Sequence, residues 1–190
     1  TPGAPIGPPA TKASQLLDAV DWALAETRRQ GSPYFGKLDA SKVAVMGQSC
    51  GGLQAIEVSG DPRIRTTMIW NSGVINDQGS LPRLANATKD SLKAFHAPVA
   101  YILGGPTDVA YPNGEDDFRR IYHVPVFKAN LNVGHGGTFR HENGGRYAEL
   151  AAAWLKWRLN GDAVAGKLFS GPDCGLCRDP VWQVEKKNMP

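Results

Sequence analysis

The residues of this sequence best suited to chemistry are a serine, an aspartate and a histidine, far apart along the chain and each set in a glycine-rich stretch. Ser49 stands in Gly47-Gln48-Ser49-Cys50-Gly51, Asp108 closes Gly104-Gly105-Pro106-Thr107-Asp108, and His135 lies in Asn132-Val133-Gly134-His135-Gly136-Gly137. A serine hydroxyl is a weak nucleophile near neutral pH, so a base must take its proton, and an acid must fix the tautomer of that base and stabilise its cation. These three side chains supply the set needed for acyl transfer to serine. The pattern around Ser49 is weak by itself: with 22 glycines among 190 residues, a serine with glycine two positions to either side arises by chance in roughly one such chain in ten. Its meaning depends on the elements around it. A strand turning sharply into a helix would hold the serine in a strained conformation, with the flanking glycines letting strand and helix approach.

The elements have that order. Lys42 to Met46 is a short apolar run followed by glycine and reads as a buried strand, and Gly51 to Val58 reads as a helix broken by Gly60, Asp61 and Pro62. Upstream, the proline-rich residues 1 to 10 read as a loop. Ala13, Leu16, Leu17, Val20 and Leu24 recur at three- and four-residue intervals and predict an amphipathic helix over 11–30. Downstream the alternation continues with a strand over Thr66 to Trp70, a weak helix over Pro82 to Phe95, and a strand over Pro98 to Leu103. A short helix over Asp116 to Ile121, a fourth strand over Val124 to Leu131 and a strong helix containing Tyr147, Leu150, Trp154 and Leu159 complete the series. Strands separated by helices imply parallel crossovers, hence an α/β fold with a mostly parallel sheet of about four strands between layers of helices. Residues 1–170 form the catalytic unit in this reading. The Cys-, Pro- and Gly-rich tail, 171–190, packs on its surface.

Asp108 and His135 both fall just beyond the C-terminal ends of strands, where sheets of this kind carry their sites. Rivals exist for each role. His141 lies six residues beyond His135, whereas His96 and His123 precede strands and belong at the opposite edge of the sheet. Asp77 follows the second strand and could replace Asp108; Asp116 and Asp117 read as the start of a helix.

Composition narrows the partners. The formal charge of +3 comes from 21 scattered Lys and Arg residues, with no basic stripe, so nucleic acid is not expected. No apolar run approaches the ~20 residues that span a bilayer, and the N-terminus has no signal-peptide succession, so any targeting segment has been removed or lies outside these residues. Cys174 and Cys177 have no second ligand pair for zinc and are expected to form a local disulfide, as in a secreted protein; the sequon Asn86-Ala87-Thr88 is compatible with that location. Cys50 remains as a small apolar residue or the partner of a cysteine elsewhere. No metal and no organic cofactor are expected.

The segments GQSCGG at 47–52, GGPTD at 104–108, NVGHGG at 132–137 and Trp70 in MIWNSG together resemble the α/β-hydrolase superfamily, near its secreted dienelactone-hydrolase-like and cutinase- or polyesterase-like esterases. The likeness covers most of residues 11–160. It implies a three-layer α/β-hydrolase fold and a serine hydrolase cleaving a small-molecule or polymeric carboxylic ester, with Ser49, Asp108 and His135 catalytic. The backbone N–H of Cys50 would serve the oxyanion hole, and Gln48 and Trp70 would line the substrate site. Members of the superfamily have more strands than the four read here and a second oxyanion donor from an upstream loop. The likeness therefore also implies a missing N-terminal segment, or a separate chain, that completes the sheet. A catalytically silent binding module and a serine peptidase are the alternatives.

Overall fold

The computed structural model describes residues 11–77 and 85–190. In chain order its elements are α1 (Ser14–Glu26), β1 (Val43–Gln48), α2 (Cys50–Val58), β2 (Ile64–Trp70), a 3-10 turn (Lys89–Ala94), β3 (Val99–Leu103), α3 (Tyr111–Arg120) and β4 (Val126–Asn130). A second 3-10 turn (Glu142–Gly144), α4 (Gly145–Asn160), the short helices α5 (Ala163–Gly166) and α6 (Gly175–Arg178) and the strand β5 (Gln183–Lys187) follow. The five strands pair in the order β1-β2-β3-β4-β5. β1 to β4 run parallel, and β5 runs antiparallel to β4.

Period-two alternation sends the side chains of β2, β3 and β4 to two separate cores. Val99, Tyr101 and Leu103 of β3 meet Leu53 and Ile56 of α2 and Phe118 of α3 on one face. Ala100 and Ile102 of the same strand, with Phe127 and Ala129 of β4, meet Tyr147, Leu150 and Trp154 of α4 on the other. All five residues of β3 are buried, which explains its unbroken apolar sequence. The buried indole of Trp154 donates to Thr66 Oγ1 at 2.8 Å, and that hydroxyl donates to the carbonyl of Pro98 at 2.7 Å, so both of these buried polar groups are paired.

The four strands read from the sequence are present, and the tail adds a fifth. β5 (QVEKK) carries no apolar alternation that would announce it, but its lysines suit an edge strand. Lys187 Nζ donates to the carbonyls of Phe118 and Ile121 at the C-terminal end of α3, where a cation meets the negative pole of the helix. The Cys174–Cys177 disulfide is formed, with an S–S distance of 2.10 Å, at the start of α6. α1 is shorter than expected, and none of its residues is fully buried. The weak helix expected over 82–95 is a 3-10 turn over Lys89–Ala94, capped reciprocally by Thr88 and Ser91; positions 82–84 lie outside the described residues. α3 begins at Tyr111, five residues before the expected start, because Pro112 fits a first turn and Gly114 admits the side chain of Leu103. Asp116 and Asp117 are therefore within the helix and not at its start.

Asp117 ties the layers together. Its side chain is fully buried, accepts from Val74 N (2.7 Å), Lys89 Nζ (2.6 Å) and the hydroxyl of Tyr101 (3.1 Å), and so joins α3 to β3, the 3-10 turn and the loop after β2. Burial pushes its carboxyl up from the ordinary 3.8 to about 6, against the pull of the Lys89 ammonium. Because the folded pKa lies above the unfolded one, the folded chain holds this proton more tightly. The resulting stability is full below about pH 4 and lost as pH rises through about 6. Asp117→Asn removes the titration. Urea unfolding of the two proteins from pH 4 to 7 is expected to show the wild type losing on the order of 2–3 kcal/mol relative to the variant; parallel pH profiles would contradict this assignment.

Candidate active site

Ser49 sits between β1 and α2 at φ 55° and ψ −122°, a backbone conformation that side-chain-bearing residues rarely adopt. The turn is held on both sides. Ser49 N donates to the carbonyl of Trp70 at 3.1 Å, and the Ser72 hydroxyl donates to the carbonyl of Ser49 at 2.7 Å. The two expected glycines differ in what they do. A Cβ on Gly47 would lie 2.1 Å from the backbone of Gly51, so glycine is required there. A Cβ on Gly51 would meet nothing within 4 Å. The second close approach belongs to Gly52, whose Cβ would lie 2.5 Å from that of Ser72.

Asp108 and His135 are brought to the same place. Their loops share backbone bonds: Val133 N and Gly134 N both donate to the carbonyl of Gly104, at 3.0 and 2.7 Å. Asp108 is buried, and its Oδ1 accepts from Ala110 N at 2.8 Å and faces His135 Nδ1 at 2.6 Å. His135 Nε2 lies 3.0 Å from Ser49 Oγ. The imidazole side chain is 36% exposed while the carboxylate is fully buried, so the acid is shielded and the base stays open to a ligand. Asp108 Oδ2 is buried without a hydrogen-bond partner among the described residues.

The loop carrying His135 is held by Asn71, which the sequence did not single out, and by Gln48, which was expected on the substrate wall. Asn71, fully buried at φ 41°, donates through Nδ2 to the carbonyls of Gly134 (3.1 Å) and His135 (2.8 Å), and its Oδ1 accepts from the hydroxyl of Tyr147 at 2.9 Å. Gln48 Nε2 also donates to the carbonyl of His135, at 3.0 Å. Asn71 follows Trp70 directly within MIWNSG, yet an asparagine after a strand reads as a turn residue, and nothing local marks it as an anchor.

Beside Ser49 lies a cleft of about 410 Å³, lined by Leu53, Ile75, Val109, Ala110 and Asn113 together with Cys50 and His135. Cys50 carries a free thiol, and its N–H opens α2 next to the Ser49 hydroxyl. Gln48 and Trp70, expected on the substrate wall, are outside this lining. Gln48 is engaged with the His135 loop, and Trp70 is 4% exposed, packed on Tyr147 and Phe139 at centroid distances of 5.3 and 6.0 Å. The rival histidines lie elsewhere. His96 and His123 contact the carbonyls of Ile64 and Phe95 near the strand starts, and His141 precedes the turn before α4. Among the described residues no group of three His, Cys, Asp or Glu side chains is placed to hold a metal ion, and no helix is long and apolar enough to cross a membrane.

No family model matches the chain, and no curated protein matches it. Among solved structures it is similar to the crystal structure of the esterase domain of a Rhodothermus marinus protein, with 17% sequence identity and a TM-score of 0.55, over 79% of this chain and 70% of that one. Likeness at this identity is a likeness of fold: a mostly parallel α/β sheet of the kind that a hydrolase domain uses.

The glycine contacts yield a paired expectation. Gly47→Ala should destabilise the protein by about 3 kcal/mol through overpacking against backbone, whereas Gly51→Ala should be neutral or stabilise it by up to about 1 kcal/mol. Thermal or urea unfolding of both variants checks this, and equal effects at the two positions would contradict the contacts described.

Proposed function

We propose that the chain is a serine hydrolase of the α/β-hydrolase superfamily that cleaves a carboxylic ester through an acyl-enzyme. One observation carries the reading: His135 spans the buried Asp108 carboxylate at 2.6 Å and the hydroxyl of a conformationally strained serine at 3.0 Å, both within hydrogen-bond reach. His135 Nε2 takes the Ser49 proton as Oγ bonds to the carbonyl carbon of the ester. The charge that develops on the carbonyl oxygen meets the N–H of Cys50 and the positive end of α2. Collapse of the tetrahedral intermediate breaks the bond to the alcohol, which leaves with the proton from His135. Water, deprotonated in turn by His135, attacks the acyl-enzyme, releases the acid and restores Ser49. Asp108 remains a carboxylate throughout, holding Nδ1 protonated and steadying the imidazolium.

Three further assignments accompany this reading. The ester is favoured over the amide because the similar structure is an esterase domain. The Cys174–Cys177 disulfide suits an extracellular, oxidising location. At the far edge of the sheet, β1 pairs with β2 alone among the described residues and borders an apolar groove of about 530 Å³ under α1, which fits an added strand.

Ser49→Ala and His135→Ala should each lower kcat/KM for 4-nitrophenyl esters by about 10⁴-fold or more, and Asp108→Asn by about 10³- to 10⁴-fold, with unfolding midpoints close to the wild type. A fluorophosphonate should label Ser49 in the folded wild type and leave Ser49→Ala unlabelled. Retention of esterase activity by a folded Ser49→Ala protein would end this assignment.

A further inference from the structure

Away from Ser49, Cys50 and His135, the lining of the cleft is apolar except at one point that carries an uncommitted polar group. Leu53, Ile75, Val109 and Ala110 present hydrocarbon, and Ser72, which also borders the cleft, has its hydroxyl committed to the carbonyl of Ser49. Asn113, on the first turn of α3, is the exception. Its Oδ1 accepts from the backbone N–H of Asn76 at 3.0 Å, while Asn76 Nδ2 donates to the carbonyl of Pro112 at 3.1 Å. A backbone N–H can only donate, so the carboxamide is locked with oxygen toward Asn76 and nitrogen the other way. That nitrogen donates to no described residue. The side chain is half-buried, and its backbone is pinned against Gly73, whose Cβ would lie 2.5 Å from the Asn113 carbonyl carbon. A fixed donor bordering a largely apolar cleft is complemented by a hydrogen-bond acceptor carried on a hydrocarbon chain.

We infer that Asn113 is a specificity-determining residue that donates to an oxygen on the acyl chain of the substrate, so that the site favours aliphatic acyl groups bearing an ether, hydroxyl or carbonyl oxygen. This rests on the acyl-enzyme reading above. The alcohol must depart on the side of His135, which returns the proton to it. The acyl group stays on Ser49, within the cleft that Asn113 lines. The volume of about 410 Å³ is that of a small-molecule site and accommodates the acyl chain of a simple ester.

The test uses two esters of equal chain length, 4-nitrophenyl butanoate and 4-nitrophenyl methoxyacetate, which differ by one oxygen in place of a methylene. The methoxyacetate-to-butanoate ratio of kcat/KM is compared between proteins, which cancels the intrinsic reactivity of the esters. Asn113→Asp keeps the acceptor for Asn76 and replaces the donor by a second acceptor; Asn113→Leu removes both. The ratio should fall about tenfold in each variant, the size expected for one neutral hydrogen bond. An unchanged ratio with continued turnover of butanoate would overturn the inference, as would a response confined to the same swap in the alcohol, butyl against 2-methoxyethyl acetate. Binding is read separately by NMR on ¹⁵N-labelled Ser49→Ala protein. Methyl methoxyacetate should shift the Asn113 side-chain amide resonances more than methyl butanoate does, and equal or absent shifts would count against it. If the wild type turns over neither ester while these shifts persist, the acyl-enzyme reading falls and takes the specificity role with it, and Asn113 is retained only as a donor to a bound ligand oxygen.

Discussion

A histidine on a surface loop can bridge a buried carboxylate and a hydroxyl from another strand only while the loop's backbone is held still, and here two carboxamides hold it. Asn71 and Gln48 both donate to the carbonyl of His135, and Asn71 adds the carbonyl of Gly134. These bonds direct the His135 side chain back across the strand ends toward Asp108 and Ser49. Asn71 is itself fixed by Tyr147, whose ring packs on Trp70 and Trp182. The position of the base therefore depends on the aromatic cluster beneath α4 and not on the short loop that carries it. A network of this kind is favourable only when every member is satisfied. The carboxamide of Asn71 is paired on both sides here, whereas the second carboxylate oxygen of Asp108 has no partner among the described residues.

The opposite wall is positioned by different means. The loop after β2 is drawn onto α3 by Asp117 at Val74, by Asn113 at Asn76 and by the glycine-to-glycine contact of Gly73 with Gly114. The same loop supplies the Ser72 hydroxyl that holds the Ser49 carbonyl. Elbow, cleft and core are thus linked through one segment of six residues, Asn71 to Asn76. The buried Asp117 carboxylate, whose pKa is raised to about 6 by desolvation, makes the anchoring of that segment pH-dependent.

The elements most legible in the sequence were those whose pattern comes from local burial. β3 is apolar at every position because helices cover both its faces, and α4 shows a helical period because only one face of it is buried. β5 and the first turn of α3 were not legible. β5 is charged because it lies at an edge, and α3 opens with proline, asparagine and glycine because it is pressed against Gly73 and Leu103. In both, tertiary contacts outweigh local propensity.

The candidate site divides in the same way. Ser49, Asp108 and His135 could be chosen from sequence because each residue type answers a chemical need and each follows a strand, which in a parallel sheet sends all three to one rim. Their spacing, the preference for Gly52 over Gly51 as the close-contact glycine, and the roles of Asn71, Asn113 and Asp117 came only from the tertiary structure. The physical reason is that a strand's periodicity reports which side of the sheet a residue faces. The hydrogen bonds of a buried polar side chain depend on partners tens of residues away, and no local pattern records them.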